Sequence, residues 1–122
     1  MDKRIINYPI PKVNKYHNIK TIVNGIEFDS KKEARRYQDL LYLQKSGYIE
    51  NLELQKPFEL QPSFKKNGKT IRTITYIADF YYFDILENKW VVEDTKGVRT
   101  DVYKLKKKLF EYKYPKLTIE EL

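Results

Sequence analysis

The chain has 122 residues, of which 34% are charged, 41% hydrophobic and 15% aromatic, a composition too rich in aromatics for disorder and of a size for one domain. With no cysteine and one histidine, His17, it excludes disulfides, thiolate metal centres and a cysteine nucleophile, and argues against a histidine-rich zinc site or a Ser-His-Asp triad. Its 24 basic residues outnumber 17 acidic ones, giving +7, which suits a polyanionic partner because Lys and Arg displace counterions from phosphates.

In chain order, residues 1–18 hold Pro9, Pro11, Lys3, Arg4, Lys12 and Lys15 without periodicity, and read as a basic N-terminal arm. A folded domain over 19–122 is expected to follow. Ile19 to Phe28 reads as a hairpin turning at Asn24-Gly25, a pair that tolerates the positive φ of a type I′ turn. Ser30 caps a predicted helix running to about Ser46 and stopped by Gly47, with Ser30 and Glu33 spaced as a capping box. Ala34, Tyr37, Leu40 and Leu41 form its inner stripe, and Glu33 falls within that stripe. Ile49–Gln55 and Phe58–Phe64 read as strands around a bend or edge at Pro57. A turn at Asn67-Gly68 leads into one long strand from Thr70 to Phe83, followed by a short strand from Trp90 to Lys96 that Gly97 ends. Thr100 or Asp101 caps a second helix to about Lys113, with Val102, Leu105, Leu109 and Tyr112 as its core stripe. Leu117–Glu120 closes the chain as a strand. The order is hairpin, α, β, β, β, α, β, an α+β fold with a mixed sheet.

Four residues carry a chemical reading. Asp79 interrupts the apolar run Tyr76-Ile77-Ala78-Asp79-Phe80-Tyr81, where a carboxylate is costly to bury unless paired or bound to a cation. Its ordinary alternative is a strand-edge position facing water. Asp94 and Lys96 lie two apart on a strand and so share a face, while Glu93 faces the other way. An exposed ion pair is the ordinary reading of such an Asp-x-Lys. In a symmetric hairpin around residues 84–89, Phe83 meets Trp90, Tyr81 meets Val92 and Asp79 meets Asp94. Two directly opposed carboxylates repel and call for a cation. Lys96 supplies part of it, and a hard divalent ion would supply the rest. Glu33 could join from the first turn of its helix, or serve only as the cap. Three acids and a lysine then suit metal-assisted phosphodiester hydrolysis, in which Mg²⁺ (or Mn²⁺) stabilises phosphate charge and acidifies a water.

The strings Phe28-Asp29-Ser30-Lys31-Lys32-Glu33-Ala34-Arg35-Arg36-Tyr37, Tyr76-Ile77-Ala78-Asp79-Phe80 and Val92-Glu93-Asp94-Thr95-Lys96-Gly97 resemble the PD-(D/E)XK nuclease superfamily. More narrowly, the chain is similar to a family of small phage and prophage endonuclease-like proteins within it, over roughly residues 16–120. The resemblance implies a restriction-endonuclease-like αβββαβ core and divalent-metal-dependent DNA cleavage, with junction resolvases among the relatives. It would make Glu33 the first-helix acid, Asp79 the metal-binding Asp, and Asp94 with Lys96 the (D/E)XK pair. Ala78 stands where the superfamily often has proline.

DNA contacts are expected from Gln55, from Arg99 and Thr100 in the loop after Gly97, and from Lys104, Lys107 and Lys108 opposite the second helix's stripe. The same lysines would serve equally as an ordinary solvated face. The leading expectation is a Mg²⁺-dependent DNA endonuclease acting on branched or recombination intermediates, in the cytoplasm (the host's, for a phage protein) and with no membrane partner. Symmetric cutting of a junction would require a homodimer, and the apolar arm residues Ile5, Ile6, Tyr8 and Ile10 could pack on a neighbour. The rival expectations are a non-catalytic DNA-binding or regulatory protein retaining the fold, and a phage protein whose arm contacts a host protein.

Overall fold

A computed structural model describes residues 20–95 and 98–122. The arm expected over 1–18, and Lys96 with Gly97, lie outside the described residues. The chain divides into two units, Met1–Gly47 and Tyr48–Leu122, and each is described by itself.

In the first unit, β1 (Thr21–Val23) and β2 (Ile26–Phe28) pair antiparallel across the expected Asn24-Gly25 turn, whose φ angles of 52° and 76° are the left-handed ones that this turn demands. Helix α1 (Lys31–Lys45) begins where Ser30 turns extended and its Oγ accepts the Glu33 N–H at 3.1 Å. It ends at Ser46, followed by Gly47 with φ 82°, a conformation that favours glycine. Glu33, Ala34, Tyr37 and Leu40 are buried, and Phe28 packs on Tyr37 at 5.0 Å between ring centroids.

The second unit is built on a four-stranded sheet. Strands β3 (Ile49–Gln61), β6 (Ile74–Asp84), β7 (Lys89–Asp94) and β8 (Ile119–Glu121) lie in that order. The first three are antiparallel and β7–β8 is parallel. A parallel neighbour needs a crossover, and α2 (Asp101–Lys113) supplies it. The sheet is therefore mixed, as expected. Between β3 and β6 the chain makes a separate two-stranded ribbon, β4 (Phe64–Lys66) and β5 (Lys69–Ile71), turning at Asn67-Gly68.

Several boundaries differ from expectation. Pro57 does not divide two strands: β3 runs through it opposite Ile77, because β3 is a sheet edge where a missing N–H costs no ladder bond. The left-handed residues of β3 are Asn51 (φ 58°) and Gln55 (φ 53°). The run from Thr70 to Phe83 is not one strand, since residues 72–73 break it and Lys69–Ile71 belongs to the ribbon.

The second helix is rotated from its expected setting. Val102, Leu105, Leu109 and Tyr112 are exposed, Tyr112 at 88%, while Tyr103 and Phe110 are buried with Tyr114 half-buried beside them. Both stripes have helical spacing, so periodicity could not choose between them. The aromatic stripe wins because each ring buries about 150–250 Å². Phe58 is its hub on the sheet, with centroids 5.0 Å from Phe110, 5.3 Å from Tyr81 and 5.4 Å from Tyr114. Lys107 consequently turns toward the sheet instead of joining Lys104 and Lys108 on an opposite face, and it is half-buried. Among the described residues, no helix is long and apolar enough to cross a membrane.

Candidate active site

The site follows from one irregularity in the sheet. Tyr76, Ala78 and Tyr81 pack with Phe58, Val92 and Phe110 on the face covered by α2. In a regular strand, residues 78 and 81 would point to opposite faces, so the alternation slips by one between them. The neighbouring strand slips too. Glu53 stands opposite Tyr81, and Lys56 bridges to Glu53 at 3.5 Å while lying over the Tyr81 ring at 5.6 Å. Gln55 and Asp79 face each other at the slip, between the Leu54–Phe80 and Lys56–Ala78 rungs, and Gln55 takes its left-handed φ there. Their side chains meet: Gln55 Nε2 donates to Asp79 Oδ1 at 3.3 Å.

The β6–β7 register is the expected one, with Phe83 opposite Trp90, Tyr81 opposite Val92 and Phe80 opposite Glu93. The ladder ends at that last rung, one short of the expected Asp79–Asp94 pair. Asp79 instead reaches the residue after Asp94. Its Oδ2 accepts both the backbone N–H and the hydroxyl of Thr95, each at 2.8 Å.

Asp94 is fully buried on the α2 face, and its Oδ2 accepts the Tyr76 hydroxyl at 2.5 Å. Burial first, then the bond to Asp94 and the charges of Asp94 and Asp79, push the Tyr76 phenol far above its ordinary value. Both carboxylates thus act electrostatically on one hydroxyl. Glu93 is equally buried on the opposite face, where the Tyr82 hydroxyl donates to it. Burial therefore does not separate Asp94 from Glu93; the face does, as the two-residue alternation implies.

Glu121 organises the approach to this strand. It stands beside Asp94 in the β7–β8 register, and the Leu122 N–H donates to the Asp94 carbonyl at 2.9 Å. Tyr103 Oη donates to Glu121 Oε2 at 2.6 Å, Arg99 bridges to Oε1 at 2.9 Å, and Lys107 reaches Oε2 at 3.3 Å. These donors, Tyr103 foremost and then Arg99, hold the Glu121 carboxyl down to about 2. Thr100 caps α2, its Oγ accepting the Tyr103 N–H at 3.1 Å. Of the expected DNA contacts, then, Arg99 and Lys107 are ion-paired to Glu121, Thr100 is a helix cap and Gln55 is bonded to Asp79. Lys104 and Lys108 are exposed on α2.

The structure brings Asp79 to the end of the strand that carries Asp94. Glu33 is buried on α1 in the other unit, and Lys96 lies outside the described residues. Sequence reasoning missed Tyr76, Thr95, Tyr103 and Glu121. Thr95 and Tyr76 lay inside the quoted strings, but the slip that unites them leaves no pattern in residue type. Among the described residues no three Asp, Glu, His or Cys side chains form a metal-holding group.

An α+β protein with a mixed four-stranded sheet and two carboxylates at one strand end is the class that fold and site define. The chain belongs to the family described as "Protein of unknown function (DUF1064)", whose model matches residues 13–121. Neither the curated proteins nor the solved structures contain a match to it.

Proposed function

We propose that this chain is a divalent-metal-dependent DNA endonuclease with a PD-(D/E)XK-type site, acting on branched DNA. The observation that carries the reading is the buried Asp94 carboxylate at the strand end where Asp79 is bound to Thr95. The donor chemistry fits Mg²⁺, which takes one or two protein carboxylates and fills its other positions with water and substrate oxygens. Asp79 and Asp94 would hold the ion, which when bound would stabilise charge on the phosphate under attack. The protein's own part is positional. Tyr76 fixes Asp94 through one oxygen, and Thr95 and Gln55 fix Asp79. The Glu121 network anchors the Arg99 side chain, C-terminal to the Asp94 strand, to β8. The branched substrate and the role of Lys96 as the partner lysine rest on the superfamily resemblance alone.

A second reading, a DNA-binding protein without catalysis, is favoured by the three hydrogen bonds that Asp79 already accepts from protein donors. Cleavage of nicked, branched and linear DNA with Mg²⁺, set against Asp79→Ala and Asp94→Asn, separates the two. Loss of cleavage in both variants is expected. Equal activity in Asp79→Ala overturns the proposal, and salt-dependent binding without cleavage by the unaltered chain selects the second reading.

A further inference from the structure

The β4–β5 ribbon has no part in the site just described. Its rungs, Phe64–Ile71, Lys65–Thr70 and Lys66–Lys69, continue the register of the Gln61–Ile74 rung at the sheet's end. Thr73 Oγ1 donates to the Gln61 carbonyl at 2.7 Å and pins the base. Five residue steps separate Gln61 from Lys66, so the ribbon projects about 17 Å at roughly 3.4 Å per residue. Every residue from 62 to 74 is exposed.

The charge on this projection has one sign. Residues 60–78 contain Lys65, Lys66, Lys69 and Arg72 and no acidic residue. Lys66 and Lys69 are directly opposite at the tip, an arrangement that destabilises a strand pair. An isolated two-stranded ribbon is already marginal in water, and no described carboxylate bridges to these four cations. A phosphate placed between the two ammonium groups would offset the repulsion. Phe64 and Ile71, 44% and 39% exposed, share the face of that rung and add an apolar surface at its base.

We propose that this ribbon is a DNA-binding element that enters the major groove of duplex DNA, with Lys66 and Lys69 on backbone phosphates. The groove of B-form DNA is about 12 Å wide and admits a two-stranded ribbon, whereas the deep, narrow major groove of duplex RNA does not. The inference deepens the nuclease reading and rests on it only for the choice of DNA as the polyanion.

The test is fluorescence anisotropy of the full chain with labelled duplex DNA in EDTA, across a salt series, with duplex RNA as the second arm. Each lost phosphate contact makes the slope of log K against log salt shallower by about 0.9. Lys66→Thr with Lys69→Thr should therefore reduce it by about 1.8, and replacement of all four cations by up to about 3.6. Lys66→Glu, which converts the tip rung into an opposite-charge pair, should weaken DNA binding while leaving the ribbon folded. Duplex RNA should bind more weakly and respond less to these changes. Unaltered affinity and slope in the four-residue variant, or equal ribbon dependence on RNA, would overturn the inference. Since no step requires cleavage, ribbon-dependent binding by a chain that never cuts DNA sustains the inference while the nuclease reading fails. Cleavage with ribbon-independent binding does the reverse.

Discussion

Replacing Tyr76 by phenylalanine removes one oxygen and leaves the ring where it packs, 5.3 Å from Phe110 and 6.5 Å from Phe58 between centroids. The lost hydroxyl donates at 2.5 Å to a carboxylate with no solvent exposure. A hydrogen bond to a charged group contributes about 1.5–3 kcal/mol, and water cannot replace the donor at a buried site. The variant should therefore lose about 1.5–3 kcal/mol in urea unfolding at neutral pH. For a chain of this length that is roughly 5–12 °C in Tm. Tyr112→Phe, at a position 88% exposed, is the matched control and should stay within about 0.5 kcal/mol. A Tyr76→Phe variant as stable as that control would refute the claim that Asp94 is held by this phenol.

Two further outcomes follow from the packing and the charges. Phe110→Ala should cost about 3–5 kcal/mol in urea unfolding, because the ring is fully buried, whereas Leu105→Gln should change stability by less than about 0.5 kcal/mol. The reverse ranking would restore the helix setting expected from the sequence, with Val102, Leu105, Leu109 and Tyr112 inward. Glu121 titrates at about 2 when folded against an ordinary glutamate value of 4.5. A depressed carboxyl stabilises the fold above the unfolded value, and that contribution fades as pH falls through the folded one. Glu121→Gln should thus be less stable than the parent at neutral pH, with the gap closing between about pH 4.5 and 2; a gap constant across that window in chemical unfolding would remove the assigned cause.

Elements with strong local chemistry were legible in the sequence. Asn24-Gly25, Asn67-Gly68, Ser30 and Thr100 sit at the turns and caps their side chains and φ angles suit. The β6–β7 register was legible as well, because a symmetric hairpin leaves few alternatives. What local chemistry could not reveal was set by tertiary packing. The face of α2 was decided by which stripe buried more ring area against Phe58. The slip at Gln55 and Asp79 was equally invisible, and it places Tyr76 on Asp94 and Thr95 on Asp79. Counting alternate residues across an undistorted strand would put Tyr76 on the wrong side of the sheet. Glu121 escaped notice because its partners Arg99, Tyr103 and Lys107 gather only when β8 returns parallel to β7.

The most direct measurement is a crystal of the chain grown with MnCl₂ and read by anomalous difference density. One peak is expected in contact with both the Asp79 and the Asp94 carboxylates, at about 2.1 Å, as hard cations of this size require. Density at neither carboxylate, with manganese bound elsewhere on the chain, would contradict it.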